Sequence, residues 1–230
     1  MPAPAAHLEL MCQGEAFFLE QMARLDDGAF ARPSALPAWT RAHVVAHCAR
    51  NADALGNLLD WARTGVETPM YATAEERAAG IEASARQDAS SLRTDASGAS
   101  SRLVAGADAL PSEAWDAPVR SARGRAITAA DVPWMRIRET WVHAVDLEAG
   151  ATFAELPEAV VVGLVDEVAA GLAGRADCPA VVVRSGDRTW RIGPHGHGEE
   201  VNGDLPTILA WLIGRPAGDA LEAPAVPTWL

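Results

Sequence analysis

The chain has 230 residues, room for one large domain or for a helical domain with a smaller companion. A formal net charge of −12 argues against a nucleic-acid surface, which needs clustered cations to meet phosphates. All 19 basic residues are arginine, so lysine Schiff-base chemistry is excluded.

Three scattered cysteines, Cys12, Cys48 and Cys178, form neither a disulfide framework nor a thiolate metal site. The N-terminus lacks a basic segment followed by an apolar one. No apolar run approaches the roughly 18 residues needed to span a bilayer. Together these set the expectation of a reducing, cytoplasmic setting with no membrane partner.

In chain order, residues 7–25 carry Leu8, Met11, Phe18, Met22 and Leu25 at helical spacing, and Asp26-Asp27-Gly28 ends that helix. A second helix begins after the N-cap candidate Thr40 and runs through His43, His47, Asn51, Ala54, Leu58 and Trp61 to Thr64-Gly65. A loop with Pro69 follows. Residues 73–105 are helix-permissive with a thin apolar stripe, which predicts one partly exposed helix. Asp108–Ala126, with Pro111, Pro118 and Gly124, reads as an irregular or short-strand crossover. A fourth helix is predicted from about Ile127 to Ala149, with Pro133 near its start and Gly150 as its cap. Four helices with one long connection make a four-helix bundle, where metal sites arise from side chains on facing helices.

Beyond Gly150 the pattern changes. Pro157–Ala173 predicts a helix, Cys178–Gly193 a β-hairpin turning at Ser185-Gly186-Asp187, and Asp204–Ile213 a last helix capped by Asp204. The fold class is therefore α+β. The expected division is a bundle over 1–152 and a small C-terminal α/β domain over 153–230.

Two stretches carry chemistry. In Arg138-Glu139-Thr140-Trp141-Val142-His143 a carboxylate and an imidazole stand four residues apart, on one helix face. His43 and His47 repeat that spacing on the second helix. A Glu/His pair at this spacing also occurs on solvated helices, and a lone histidine on an apolar face is more often a core residue. Two such pairs on facing helices bring the reading to a metal site. Glu139, His143 and one helix-two histidine make the three protein ligands of an open zinc site, although the same donors accept nickel, cobalt or iron.

The words Trp39–Tyr71, Trp134–Pro157 and Trp211–Gly218 ("WLIGRPAG") resemble the mycothiol-dependent maleylpyruvate isomerases, members of the DinB-like metal-binding four-helix-bundle family. The resemblance covers nearly the whole chain. It implies that His47, Glu139 and His143 hold zinc, with His43 in a supporting or packing role, and that Arg215 of the C-terminal domain serves activity. It implies zinc and mycothiol as cofactors, maleylpyruvate as substrate and a monomer.

The implied reaction is cis–trans isomerisation to fumarylpyruvate in aromatic degradation through gentisate. A thiolate adds to the enone, the bond rotates, and elimination follows. Zinc would hold the thiol and lower its pKa. The dicarboxylate substrate calls for arginine forks. Arg215 is the first choice, while Arg50, Arg136 and Arg138 fit salt bridges or solvated faces at least as well. Asn51 and Asp53 are candidates for orienting ligands or binding the cofactor. Cys48, rotated about 100° from His47, reads as a buried helix residue. His195 and His197 read as part of a glycine-rich turn. Two rivals stand beside the isomerase: a mycothiol S-transferase acting on another electrophile, and a non-catalytic metal- or thiol-binding module.

Overall fold

Two compact units, Met1–Ala151 and Thr152–Leu230, make up the chain in a computed structural model that describes residues 4–194, 198–217 and 221–227. In the first unit α1 (Ala5–Ala23), α2 (Arg41–Thr64), α4 (Ala89–Asp108) and α5 (Val132–Asp146) form the bundle, and α3 (Ala74–Ala85) lies against α2.

α2 is the central element. Thr40 opens it in a capping box: the Thr40 backbone N–H donates to Nδ1 of His43 at 3.2 Å, and the Thr40 side chain meets the N3 backbone in return. Gly65, at φ +73°, closes it in a left-handed conformation that costs a glycine little. Between the caps Val44, Val45, Cys48, Ala52, Leu55 and Leu58 are fully buried. Opposite them α4 presents small residues, Ala96, Ala99, Ser100 and Ala107, with Leu92 and Leu103 filling the gaps. On the other side α1 approaches α5 closely at Gly14. A Cβ there would lie 2.5 Å from Thr140 Oγ1 and 2.7 Å from Trp141 Nε1, so only glycine fits. The Trp141 Nε1–H donates to the Leu10 carbonyl at 3.1 Å and fixes the contact.

Two expectations about this unit need correction. The single helix over 73–105 is two helices. Asp88 interrupts it as an N-cap, its carboxylate accepting from the Ser91 backbone N–H at 2.9 Å and from the Ser91 hydroxyl at 2.7 Å. Thr73 caps α3 in the same way. The helix predicted from Ile127 starts only at Val132, because Ala126–Thr128 (β2) pairs antiparallel with Pro118–Arg120 (β1). Pro133 does sit in the first turn of α5. The helix stops at Asp146, short of Gly150.

The second unit contains α6 (Glu158–Leu172), β3 (Val181–Ser185), β4 (Arg188–Ile192), β5 (Glu199–Asn202) and α7 (Leu205–Leu212). β3 and β4 form the predicted hairpin, with Val183 opposite Trp190. β5 is an addition, pairing parallel to β3 in a sheet of order β4-β3-β5. Its sequence Glu-Glu-Val-Asn buries only Val201, too little alternation to signal a strand. Val161, Leu164, Val165 and Leu172 of α6, with Ile208 and Leu209 of α7, build the core beside the sheet. Asp204 caps α7, accepting from the Thr207 N–H at 2.8 Å. His195, His197 and Gly218 lie outside the described residues.

Candidate metal centre

On α5 the four-residue spacing sets Glu139 and His143 one above the other. α2 packs alongside and brings His47 to the same point. The His47 Nε2 lies 2.7 Å from Glu139 Oε2, and the His143 Nε2 lies 3.3 Å from the same oxygen. The two imidazole rings stand edge to face, centroids 4.9 Å apart at 86°. One donor atom from each of the three residues falls within 4.8 Å of the others. A tetrahedral ion with bonds of about 2.1 Å separates its donors by about 3.4 Å, so this donor set fits a small divalent cation. His47 is buried, and Glu139 and His143 are part-exposed, which leaves one side open to a ligand.

The hydrogen bonds around the trio fix its tautomers. His143 Nδ1 donates to Asp146 Oδ2 at 2.8 Å, and Asp146 is completely buried. A carboxylate behind a ligating histidine orients the ring and raises its basicity. Burial pulls the His143 pKa down, but Asp146 and Glu139 outweigh it and push the value up to about 9. Burial likewise opposes the charged form of Glu139, yet the two histidines hold its carboxyl well below the carboxylate range. For His47 burial wins and the pKa falls, with Glu139 opposing and His143 and Arg77 assisting.

At neutral pH His143 of the metal-free trio is therefore protonated, and a metal must displace that ionising proton. Apparent zinc affinity is expected to rise about tenfold per pH unit up to about 9 and then level off. About one proton per zinc should be released near neutral pH, as calorimetry in buffers of different ionisation enthalpy would read. In the metal-free protein the same shift adds stability that is complete below the ordinary value of 6.5 and is lost as pH rises through about 9.

Comparison with known proteins decides the lineage. The family model described as "Mycothiol maleylpyruvate isomerase N-terminal domain" matches residues 12–148. Crystal structures of the mycothiol-dependent maleylpyruvate isomerase and of a histidine-to-alanine mutant of it superpose with TM-score 0.94 at 33% identity, over 100% of this chain and 98% of theirs. The chain belongs to the mycothiol-dependent maleylpyruvate isomerase family. YfiT from Bacillus subtilis, described as a probable metal-dependent hydrolase with an unusual four-helix-bundle topology, shares the fold at TM-score 0.53 and 16% identity, over 63% of this chain and 83% of that one. No curated protein gives a significant match.

In this family member the sequence-predicted residues are placed as follows. His47, Glu139 and His143 come together. His43 instead closes the α2 cap, with its Nε2 3.3 Å from Glu82 Oε1. Asn51 is buried, its Oδ1 accepting from Arg136 Nη1 at 3.0 Å. Asp53, rotated about 200° from Asn51 around α2, pairs with Arg102 at 2.6 Å and Arg50 at 3.1 Å on the side facing α4. Both expected cofactor residues are thus engaged within the bundle. Arg215 follows α7 in the second unit, half-buried, its Nη1 donating to the Ile213 carbonyl at 2.7 Å.

Four residues that sequence reasoning assigned no role border the trio. Asp146 was detectable as an acid one helical turn after His143. Substituting Asp146→Asn is expected to keep a hydrogen-bond acceptor but weaken zinc binding about ten- to hundredfold, measurable by competition with a chromophoric chelator. The Trp39 ring lies 5.5 Å from that of His47. Arg77 Nη2 lies 3.3 Å from His47 Nδ1, and the Arg77 guanidinium stands 5.7 Å from the centroid of the Tyr71 ring. No periodicity marks these three, because their contacts join a loop and α3 to α2.

Proposed function

We propose that the chain is a zinc- and mycothiol-dependent isomerase converting maleylpyruvate to fumarylpyruvate, a step of aromatic degradation through gentisate. The observation that carries this reading is the convergence of His47, Glu139 and His143 in a family member alike to the isomerase along its whole length.

His47 and His143 would hold the ion through Nε2, and Glu139 through its carboxylate. Asp146 keeps one His143 hydrogen on Nδ1, so the proton that a metal displaces would leave from Nε2. Zinc and mycothiol, when bound, would supply a nucleophilic thiolate at neutral pH, the chemistry that a reversible addition to the enone calls for. The protein's own thiols are poor nucleophiles by comparison, since Cys48 is fully buried and burial pushes its pKa well up. Arg215 is proposed to serve activity as a carboxylate fork. Three unpaired cysteines suit a reducing, cytoplasmic setting, and no described helix is long and apolar enough to cross a membrane.

The test compares maleylpyruvate with a generic electrophile, each with mycothiol and zinc-loaded protein. Isomerisation of maleylpyruvate with no net consumption of mycothiol is the expected result. Mycothiol consumption with the generic electrophile and no isomerisation would instead make the chain an S-transferase.

A further inference from the structure

The arginines near the centre differ in how their charge is answered. Arg41 lies 3.7 Å from Glu148, Arg50 lies 2.7 Å from Asp95, and Arg136 pairs with Glu15 at 2.6 Å. Arg77 is half-buried on the first turns of α3, and no carboxylate among the described residues pairs with it. Its neighbours are Tyr71 and the Nδ1 of His47. In a chain with 31 acidic residues, a cation held beside a metal centre without a protein anion is placed to receive one from a ligand.

The chemistry of the imidazole sharpens this. A guanidinium only donates hydrogen bonds, so its contact with His47 requires Nδ1 to accept. Once Nε2 gives its lone pair to a metal, the ring hydrogen resides on Nδ1, and two donors face each other. Loading the centre thus removes the acceptor that Arg77 has on α2 and leaves the Tyr71 oxygen as its remaining polar partner, with donors of the guanidinium left over for a ligand.

We propose that Arg77 binds a carboxylate of the substrate and is a specificity-determining residue of the site. The inference rests on the reading of this centre as one for maleylpyruvate. A forked guanidinium meets a carboxylate through two hydrogen bonds, and the Tyr71 ring beneath it restricts the orientation. Arg77 would accordingly select doubly charged enones over singly charged or neutral ones.

The test uses the zinc-loaded full chain as wild type, Arg77→Gln and Arg77→Lys. Zinc content and far-UV circular dichroism serve as controls. Arg77→Gln is expected to raise the KM for maleylpyruvate about ten- to hundredfold and to weaken inhibition by maleate equally, with the KM for mycothiol unchanged. Arg77→Lys should fall between, keeping the charge but losing the fork. A KM and a maleate inhibition constant within twofold of wild type would overturn the proposal, as would a rise confined to the mycothiol KM. If the wild type does not turn over maleylpyruvate, the functional reading fails, and calorimetric binding of maleate to the zinc-loaded chain decides for Arg77 separately. Binding by wild type that Arg77→Gln loses supports the carboxylate site. No binding by wild type, or equal binding by both, refutes it.

Discussion

Replacing His47 with alanine is expected to empty the metal centre while leaving the bundle folded. The substitution removes one of three converging donors, and two protein ligands do not make a stable zinc site. The loss of zinc affinity should therefore exceed the about ten- to hundredfold typical of an outer-shell change such as Asp146→Asn. Mycothiol-dependent turnover should fall by at least about a hundredfold, because the thiol loses both its activation and its position. The fold should persist, since Glu139 keeps its contact with the His143 imidazole at 3.3 Å and the apolar faces of α2 are untouched. Metal analysis and circular dichroism on one preparation check both halves. Full zinc occupancy in the variant would place the site elsewhere.

The largest effect on stability is expected from Glu15→Ala. Glu15 and Arg136 form a bidentate pair deep in the bundle: Arg136 Nε donates to Oε1 at 2.6 Å and Nη2 to Oε2 at 2.9 Å. Their side chains are only 2% and 5% exposed, Arg136 and Glu15 respectively. Nη1 of Arg136 donates to the Cys48 carbonyl at 2.8 Å and to Asn51. One guanidinium thus ties α1, α2 and α5 together within about one turn of His47 and Glu139, holding the helices that carry these two residues in register.

Removing Glu15 would leave that cation buried and short of its anion, at a cost of about 3–5 kcal/mol. That is a large share of the about 5–15 kcal/mol that stabilises an ordinary domain. By contrast, disrupting the pair Arg24–Glu20, whose side chains are 47% and 60% exposed, should cost under about 1 kcal/mol. Urea unfolding of both variants at constant m would show the difference. Adding Arg136→Met to Glu15→Ala should recover part of the loss, because an apolar pair leaves no charge unanswered. A Glu15→Ala cost as small as that of the surface pair would contradict the assigned role.

Sequence reasoning reached the elements whose signal is local. The α2 face, the Pro133 start of α5, the Asp204 cap and the hairpin around Gly186 all rest on residues within a turn or two of one another. The i, i+4 spacings of Glu139 with His143 and of His43 with His47 are of the same kind, although only His47 of the second pair joins the trio. What stayed hidden depends on contacts between distant segments. Glu15 and Arg136 are 121 positions apart, and neither periodicity nor composition says that two charges on different helices will meet in the core. Arg77 lies 30 positions from His47, on a helix that the sequence merges with α4 unless Asp88 is recognised as a cap. β5 takes its identity from the β3 edge it joins rather than from its own four residues. Helix faces can be read one at a time; which faces meet is decided by tertiary packing.

A titration of zinc into metal-stripped protein, followed by the rate of maleylpyruvate isomerisation at fixed mycothiol, tests the metal centre and the reaction together. The rate is predicted to start near zero, rise linearly and reach a plateau at one zinc per chain, with no turnover when mycothiol is omitted. A rate indifferent to zinc, or one that persists without mycothiol, would contradict the assignment of His47, Glu139 and His143 as the centre of a thiol-dependent isomerase.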